Sequence, residues 1–145
     1  MIEEGLHTLL LGDSSVTALV DGAATGELRG VYVDDVPRGA RPDYVLVATL
    51  EDDHNNTLDG GDGSGAGALF TAEVEIDCCA VRPGDAKALA RAVLAVLEDF
   101  EGAAGSVTIE AMILGRRQSG TDDPLPGEDH RLHVETLPFT VQYRP

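Results

Sequence analysis

The stretch ALFTAEVEIDCCA, residues 68–80, alternates between apolar and polar side chains in the manner of a β-strand with one buried face. Its apolar positions are Phe70, Ala72, Val74, Ile76, Cys78 and Ala80. The opposite face carries Thr71 followed by three carboxylates without a lysine or arginine among them: Glu73, Glu75 and Asp77. Alternate residues of a strand lie about 7 Å apart on one face, so these acids form a ladder that needs an explanation.

The segments around this strand predict an α+β domain. A nearly all-apolar strand, YVLVATL, occupies residues 44–50, and a helix with one apolar stripe runs from Pro83 through Phe100. Two short N-terminal helices are also predicted: the first covers residues 2–10, and the second begins at a cap formed by Ser14 or Ser15 and ends at Val20. Further extended segments are predicted at 30–33, 106–114 and 130–143. Because this order lacks regular βα alternation, it predicts a mostly antiparallel or mixed sheet with one main helix packed across it.

Two polar segments and one proline interrupt this pattern. Residues 51–67, EDDHNNTLDGGDGSGAG, and residues 118–130 are predicted to be loops, since polar and Gly-rich chain has little apolar surface to bury. Pro138 stands inside the last extended segment. A proline cannot donate a hydrogen bond to a strand ladder, which predicts an edge position or a bulge there.

Composition and charge exclude several classes of protein. The chain has 145 residues, 43% hydrophobic and 25% charged, which indicates a single domain over residues 1–145. Its formal net charge of −16, from 26 acidic and 10 basic residues, opposes the counterion-release route to nucleic-acid binding. No apolar run approaches the ~20 residues needed to span a bilayer, and the acidic start MIEEGLHTLLL does not resemble a signal peptide, so no membrane partner is predicted.

Candidate chemical sites are few. Glu73, Glu75 and Asp77 have a spacing that could hold a divalent cation or a hydrolytic carboxylate pair, and the alternative is a solvated sheet face. Cys78 and Cys79 point to opposite faces of a strand, which predicts two reduced thiols. No serine, cysteine or histidine stands in a recognisable nucleophile setting, so we expect no catalytic residue, no metal and no cofactor.

The order of several weak motifs resembles one known family. An N-terminal helix with the sequence MIEEGLHTLLLGDSSVTALV precedes TLDG at 57–60, IDCCA at 76–80 and the Ala-rich helix AKALARAVLAVL at 86–97. This succession resembles the tail completion or tail terminator proteins of long-tailed bacteriophages, and the resemblance spans nearly the whole chain.

The resemblance implies a structural virion protein, not an enzyme. Such a protein is assembled in the host cytoplasm and forms a homo-oligomeric ring, commonly a hexamer, at the head-proximal end of the tail. There it binds the tail tube protein, stops tube polymerisation and presents a surface to a head-side connector or head-closure protein. Double-stranded DNA passes through such a ring without specific binding.

Within such a ring the carboxylate ladder has two interpretations. It lines the channel, where negative charge keeps DNA from adhering, or it meets Arg116, Arg117 or Arg131 of a neighbouring subunit. The two predicted loops are candidate contacts with the tube or the head side, through Asp52, Asp53, Leu58, Asp59, Asp62, Asp122, Asp123 and Glu128.

Two other functions are compatible with the same residues. One is a head-closure or connector protein of the phage neck, which is also a ring. The more distant one is a small metal-dependent hydrolase that uses Glu73, Glu75 and Asp77.

Overall fold

A computed structural model describes residues 2–20, 30–36, 42–55, 69–123 and 131–145. The helices are α1 (Ile2–Leu11), α2 (Ser14–Thr17) and α3 (Pro83–Leu97). The strands are β1 (Val31–Val33), β2 (Tyr44–Asn55), β3 (Leu69–Ala80), β4 (Gly102–Ala104), β5 (Val107–Leu114), β6 (Gln118–Asp122) and β7 (Leu132–Arg144).

The strands of this part of the chain form one mixed sheet in the order β1-β2-β3-β7-β5-β4. β1 and β2 are parallel, and the other neighbours are antiparallel. The long β7 pairs with β3 along one side, and with β5 and β6 at successive positions along the other. This arrangement confirms the predicted α+β class and the mixed sheet.

The main core lies between one face of the sheet, here called the inner face, and the helices. On β3 the residues Ala72, Val74, Ile76 and Cys78 belong to this core, as the alternation predicts. α3 contributes Leu89, Ala90, Val93 and Leu97, and α1 contributes Ile2, Leu6 and Leu10. α3 contacts β3 and β7, while α1 contacts β1, β2 and β4, so the helical cover is shared between two helices.

The predicted bounds of α2 and the predicted C-terminal end of α3 need correction. α2 is only four residues long, and its N-cap is Asp13, whose carboxylate accepts from the backbone nitrogens of Ser15 and Val16 at 2.8 and 3.2 Å. α3 begins at Pro83 as predicted but ends at Leu97 and not at Phe100. The backbone is extended at Glu98 and left-handed at Asp99, with φ of 59°, which stops the helix.

The polar segments also contain strands that composition alone did not predict. β2 continues through residues 51–55 because its backbone pairs with 69–73 of β3 after a bulge between Thr49 and Glu51. β6 occupies 118–122, where a loop was predicted, because it pairs with 132–136 of β7. Backbone pairing with long apolar strands therefore outweighs the polar composition of these short pieces.

The prediction that Pro138 lies at an edge or in a bulge is wrong. Pro138 stands inside β7, opposite Glu75 of β3. Its carbonyl accepts from the Gly115 nitrogen at 2.8 Å, on the side where β5 has ended and β6 has not begun. The nitrogen and carbonyl of a strand residue face the same neighbour, so the missing N–H of Pro138 falls in the gap between these two strands.

Candidate assembly surfaces

The carboxylate ladder lies on the sheet face opposite α1 and α3, here called the outer face. Glu73 is exposed, and Glu75 and Asp77 are half-buried. The register brings two further acids to this face. Glu51 of β2 lies opposite Glu73, and Asp122 of β6 lines a groove of about 230 Å³ together with Glu75 and Asp77. The outer face is therefore more acidic than β3 alone indicates.

Threonines on β7 are the direct partners of the ladder. Thr140 Oγ1 donates to the Glu73 carboxylate at 2.9 Å, and Thr136 Oγ1 donates to Asp77 Oδ1 at 2.8 Å. Both contacts join residues that face each other across β3 and β7. Glu75, between the two, faces the ring of Pro138, which offers no donor. Neutral hydroxyls thus orient two of the three acids without cancelling their charge.

Burial and mutual repulsion both act on the half-buried acids. Burial raises the pKa of Glu75, and the negative charge of Asp77 raises it further. Burial also raises the pKa of Asp77; the hydrogen bond from Thr136 opposes this rise, and the charge of Asp122 adds to it. A cationic partner placed against this groove would relieve the repulsion.

Apolar side chains accompany the acids on the outer face. Ile113 of β5 lies on this face and is 57% exposed, and Leu50, at the bulge of β2 next to Glu51, is 65% exposed. Ile113 lies beside Thr140, the residue that faces Glu73. At one end of the same face a small second core covers the sheet with Tyr32, Tyr44, Cys79, Leu132 and Val134. The outer face therefore combines acids with exposed large hydrophobic side chains.

The two cysteines belong to different cores. Cys78 lies in the main core and Cys79 in the small outer one, and both are free thiols, as predicted. Burial raises the pKa of Cys79 to about 12. Burial raises the pKa of Cys78 as well, and the nearby Arg117 charge only partly offsets this.

The structure places the predicted contact residues in several environments. Asp52 and Asp53 lie in β2 and not in a loop, and the Asp52 carboxylate accepts from the Tyr143 hydroxyl at 2.6 Å. Asp122 ends β6, and Asp123 follows it. The other members of this predicted set lie outside the described residues: Leu58, Asp59, Asp62 and Glu128. The set therefore does not form a single loop surface within the described part of the chain.

Arg116 and Arg117 lie exposed in the link between β5 and β6. Arg117 lines an open cavity of about 470 Å³ together with Lys87 and Arg91 of α3. This cavity is on the inner side, so the sheet separates Arg117 from the acid ladder of its own chain. Lys87 and Arg91 are one helical turn apart, which places them side by side on α3.

A buried acid at this cavity was missed by sequence reasoning. Glu135 is only 6% exposed, and the Ser119 hydroxyl lies 2.8 and 2.9 Å from its two carboxylate oxygens. The cross-strand register puts Ser119 of β6 directly opposite Glu135. The i, i+4 spacing of Lys87 and Arg91 was a signal in the sequence, but their approach to Arg117 depends on the pairing of β6 and β7.

The described residues contain no group of three or more histidine, cysteine, aspartate or glutamate side chains arranged to hold a metal ion. Among the helices described, none is long and apolar enough to cross a membrane.

Comparison with known proteins identifies the family. The model of the family described as tail completion protein gp17 matches residues 4–135. No curated protein has a significant match to the sequence. Among solved structures, a chain of the "Virion of native gene transfer agent (GTA) particle" is similar, with 21% sequence identity and a TM-score of 0.60. That likeness covers 99% of this chain and 95% of the other, and at this identity it shows a shared fold.

Proposed function

Because the chain belongs to the tail completion protein gp17 family, we propose that this structural component of the phage tail forms a closed ring, of six copies, on the head-proximal end of the tail tube. The ring ends tube polymerisation and provides the surface to which the head joins. The match over residues 4–135 is the observation that carries this proposal. The similar fold of a chain from a virion particle supports it.

The physical basis of the proposal is a protein that acts through surfaces. In a cyclic ring one patch of each subunit meets a different patch of the next, and assembly stops because the rotation closes. The acidic groove beside Glu75 and Asp77 and the cavity lined by Lys87, Arg91 and Arg117 lie on opposite sides of the sheet and suit such a contact. The partners are then other copies of the chain, the tail tube protein on one side and a head-closure or connector protein on the other.

In this proposal, DNA passes through the ring without binding to it. A ring of subunits that each carry a formal charge of −16 repels phosphates at long range, which disfavours adhesion of DNA during its passage. Asp123 remains a candidate for the head or tube contact, together with the acids of the predicted set that do not line the groove beside Glu75 and Asp77. We propose no catalytic role and no cofactor.

Electron microscopy of particles made without the gene tests this function. Loss of a protein that ends the tube produces overlong tails, or tails that do not join heads. Loss of a head-closure protein, the alternative in the phage neck, leaves tails of normal length and heads that lose their DNA. Normal tails joined to filled heads in the absence of the gene would contradict both assignments.

Calorimetry tests the more distant hydrolase alternative. Titration of the protein with magnesium, manganese and calcium should give no heat of binding, since threonine hydroxyls already donate to Glu73 and Asp77 and the described residues contain no cluster arranged to hold a metal ion. Binding heat that disappears in the variant Glu73→Gln/Glu75→Gln/Asp77→Asn would support a metal site.

A further inference from the structure

Strand β6 carries opposite charge on its two sides. On the inner side lies the cavity lined by Lys87, Arg91 and Arg117, here called the basic cavity. On the outer side lies the groove lined by Glu75, Asp77 and Asp122, here called the acidic groove. Ser119 of β6 lines both. One thin layer of sheet therefore separates a cationic from an anionic recess.

The cations of the basic cavity are available to a partner. Lys87, Arg91 and Arg117 are three of the ten basic residues of the chain, and all are exposed. Within the described part of the molecule none of them forms an ion pair. Glu135 is the one acid among the described residues that line the cavity, and it is buried and already accepts from Ser119. The described lining of the cavity thus has excess positive charge.

We propose that the basic cavity of one copy binds the acidic groove of the next copy. This inference rests on the proposed ring and names the surfaces that join its subunits. The two recesses lie on opposite sides of the same strand, so the contact is head-to-tail and repeats from subunit to subunit. Lys87, Arg91 and Arg117 then neutralise Glu75, Asp77 and Asp122 of the neighbour.

A second copy fits this cavity better than DNA does. The acidic groove presents three carboxylates whose repulsion a cationic neighbour relieves, whereas a phosphate backbone approaching the cavity also meets the field of a chain with a formal charge of −16. Exposed Ile113 accompanies the acids on the outer face and would be covered by the same neighbour. Glu75 and Asp77 of the ladder would then lie in the contact between subunits and would not line the channel.

The sole lysine of the chain allows a direct test. A carbodiimide joins a carboxylate to an amine without a spacer, and Lys87 is the only lysine. Particles are prepared with an equal mixture of unlabelled and ¹⁵N-labelled protein, cross-linked, and digested. The expected product is a mixed-isotope peptide pair that joins Lys87 to the peptide containing Glu75 and Asp77, or to the one containing Asp122. Two results would contradict the cavity–groove contact: links from Lys87 to another protein, or the absence of links between copies in particles that contain several copies. Neither result would contradict the proposed ring.

Charge reversal gives an independent test with a matched control. One variant, Lys87→Glu/Arg91→Glu, makes the cavity acidic, and a second, Glu75→Arg/Asp122→Arg, makes the groove basic. Each of these two variants alone should fail to oligomerise on tails, because like charges then meet at every contact between subunits. A chain carrying all four substitutions should oligomerise, since cavity and groove are again opposite in charge. The single variants Arg91→Glu and Arg82→Glu change the charge equally at exposed positions, the first inside the cavity and the second outside it. Arg91→Glu should impair assembly, and the control Arg82→Glu should assemble normally.

The outcomes separate this inference from the ring itself. Circular dichroism first shows that each variant is folded. Assembly of the single-surface variants, or failure of the four-fold variant while the control assembles, contradicts the cavity–groove contact but not the ring. A wild-type protein present as one copy per tail contradicts both.

Discussion

Glu51 of β2 lies directly opposite Glu73 of β3, so two carboxylates share one cross-strand position. Like charges at such a position destabilise a sheet, and no described lysine or arginine pairs with either acid. A folded monomer therefore carries a local electrostatic cost on the surface that we assign to a subunit contact.

Removing one of these charges should stabilise the isolated subunit. The variant Glu51→Gln is expected to raise the free energy of unfolding by roughly 0.2–1 kcal/mol in urea denaturation at low salt. The gain should fall strongly at 1 M salt, where the screening length is about 3 Å. The matched variant Glu101→Gln, at an exposed acid outside the sheet face, should have little effect. A destabilised Glu51→Gln protein would mean that this carboxylate has a partner which outweighs the repulsion.

The raised pKa of Asp77 should make stability depend on pH, and the hydrogen bond from Thr136 should limit that dependence. The folded pKa of Asp77 is raised above its ordinary value of 3.8, so the folded state holds the proton longer, and stability falls as pH rises from about that value through the raised pKa. Thr136→Val removes the bond that opposes the rise. Its stability deficit relative to the wild type should therefore grow from pH 3.5 to neutral pH in urea denaturation.

The matched variant Asp77→Asn removes the titrating group and should flatten this part of the stability profile. A Thr136→Val deficit that is the same at all pH values would show that the hydroxyl contributes packing alone.

Two glycines in helices should respond in opposite ways to alanine. A Cβ on Gly5 of α1 would lie 2.6 Å from the carbonyl oxygen of Ala104, so Gly5→Ala must displace α1 from β4 and should cost about 1–3 kcal/mol. A Cβ on Gly84 of α3 meets nothing within 4 Å, and Gly84→Ala should stabilise by about 0.5–1 kcal/mol. Equal effects in urea denaturation would contradict the close approach of α1 to β4.

The buried thiols should be unreactive in the folded protein. Burial disfavours the thiolate at both positions and raises the pKa of Cys79 to about 12, so neither thiol should react with a thiol-specific reagent at pH 7.5. Both should react at once in 8 M urea. Rapid labelling of one thiol in the native protein would show that the hydrophobic core around that cysteine opens to solvent.

The regular elements were predictable because their signals are local. The alternation of β3 and the apolar stripe of α3 each bury one face, and the structure places both in the main core. The predicted reduced state of Cys78 and Cys79 follows from the same alternation. Short or polar elements gave no such signal, and β4 and β6 became strands through pairing with β5 and β7.

The candidate site was predictable only in part, for a related reason. The ladder of Glu73, Glu75 and Asp77 could be found by counting along one strand. The approach of Arg117 to Lys87 could not, since it requires the link between β5 and β6 to cross beside α3. Pro138 was misplaced because a single strand pattern does not reveal that two partner strands meet end to end along β7.

Electron cryomicroscopy of intact particles at the junction of head and tail shows directly whether this chain forms the proposed ring. We expect a closed ring of this chain seated on the last layer of the tail tube, with the inner side of each copy against the outer face of the next. A particle in which the chain is absent, or lies only at the far end of the tail, would contradict it.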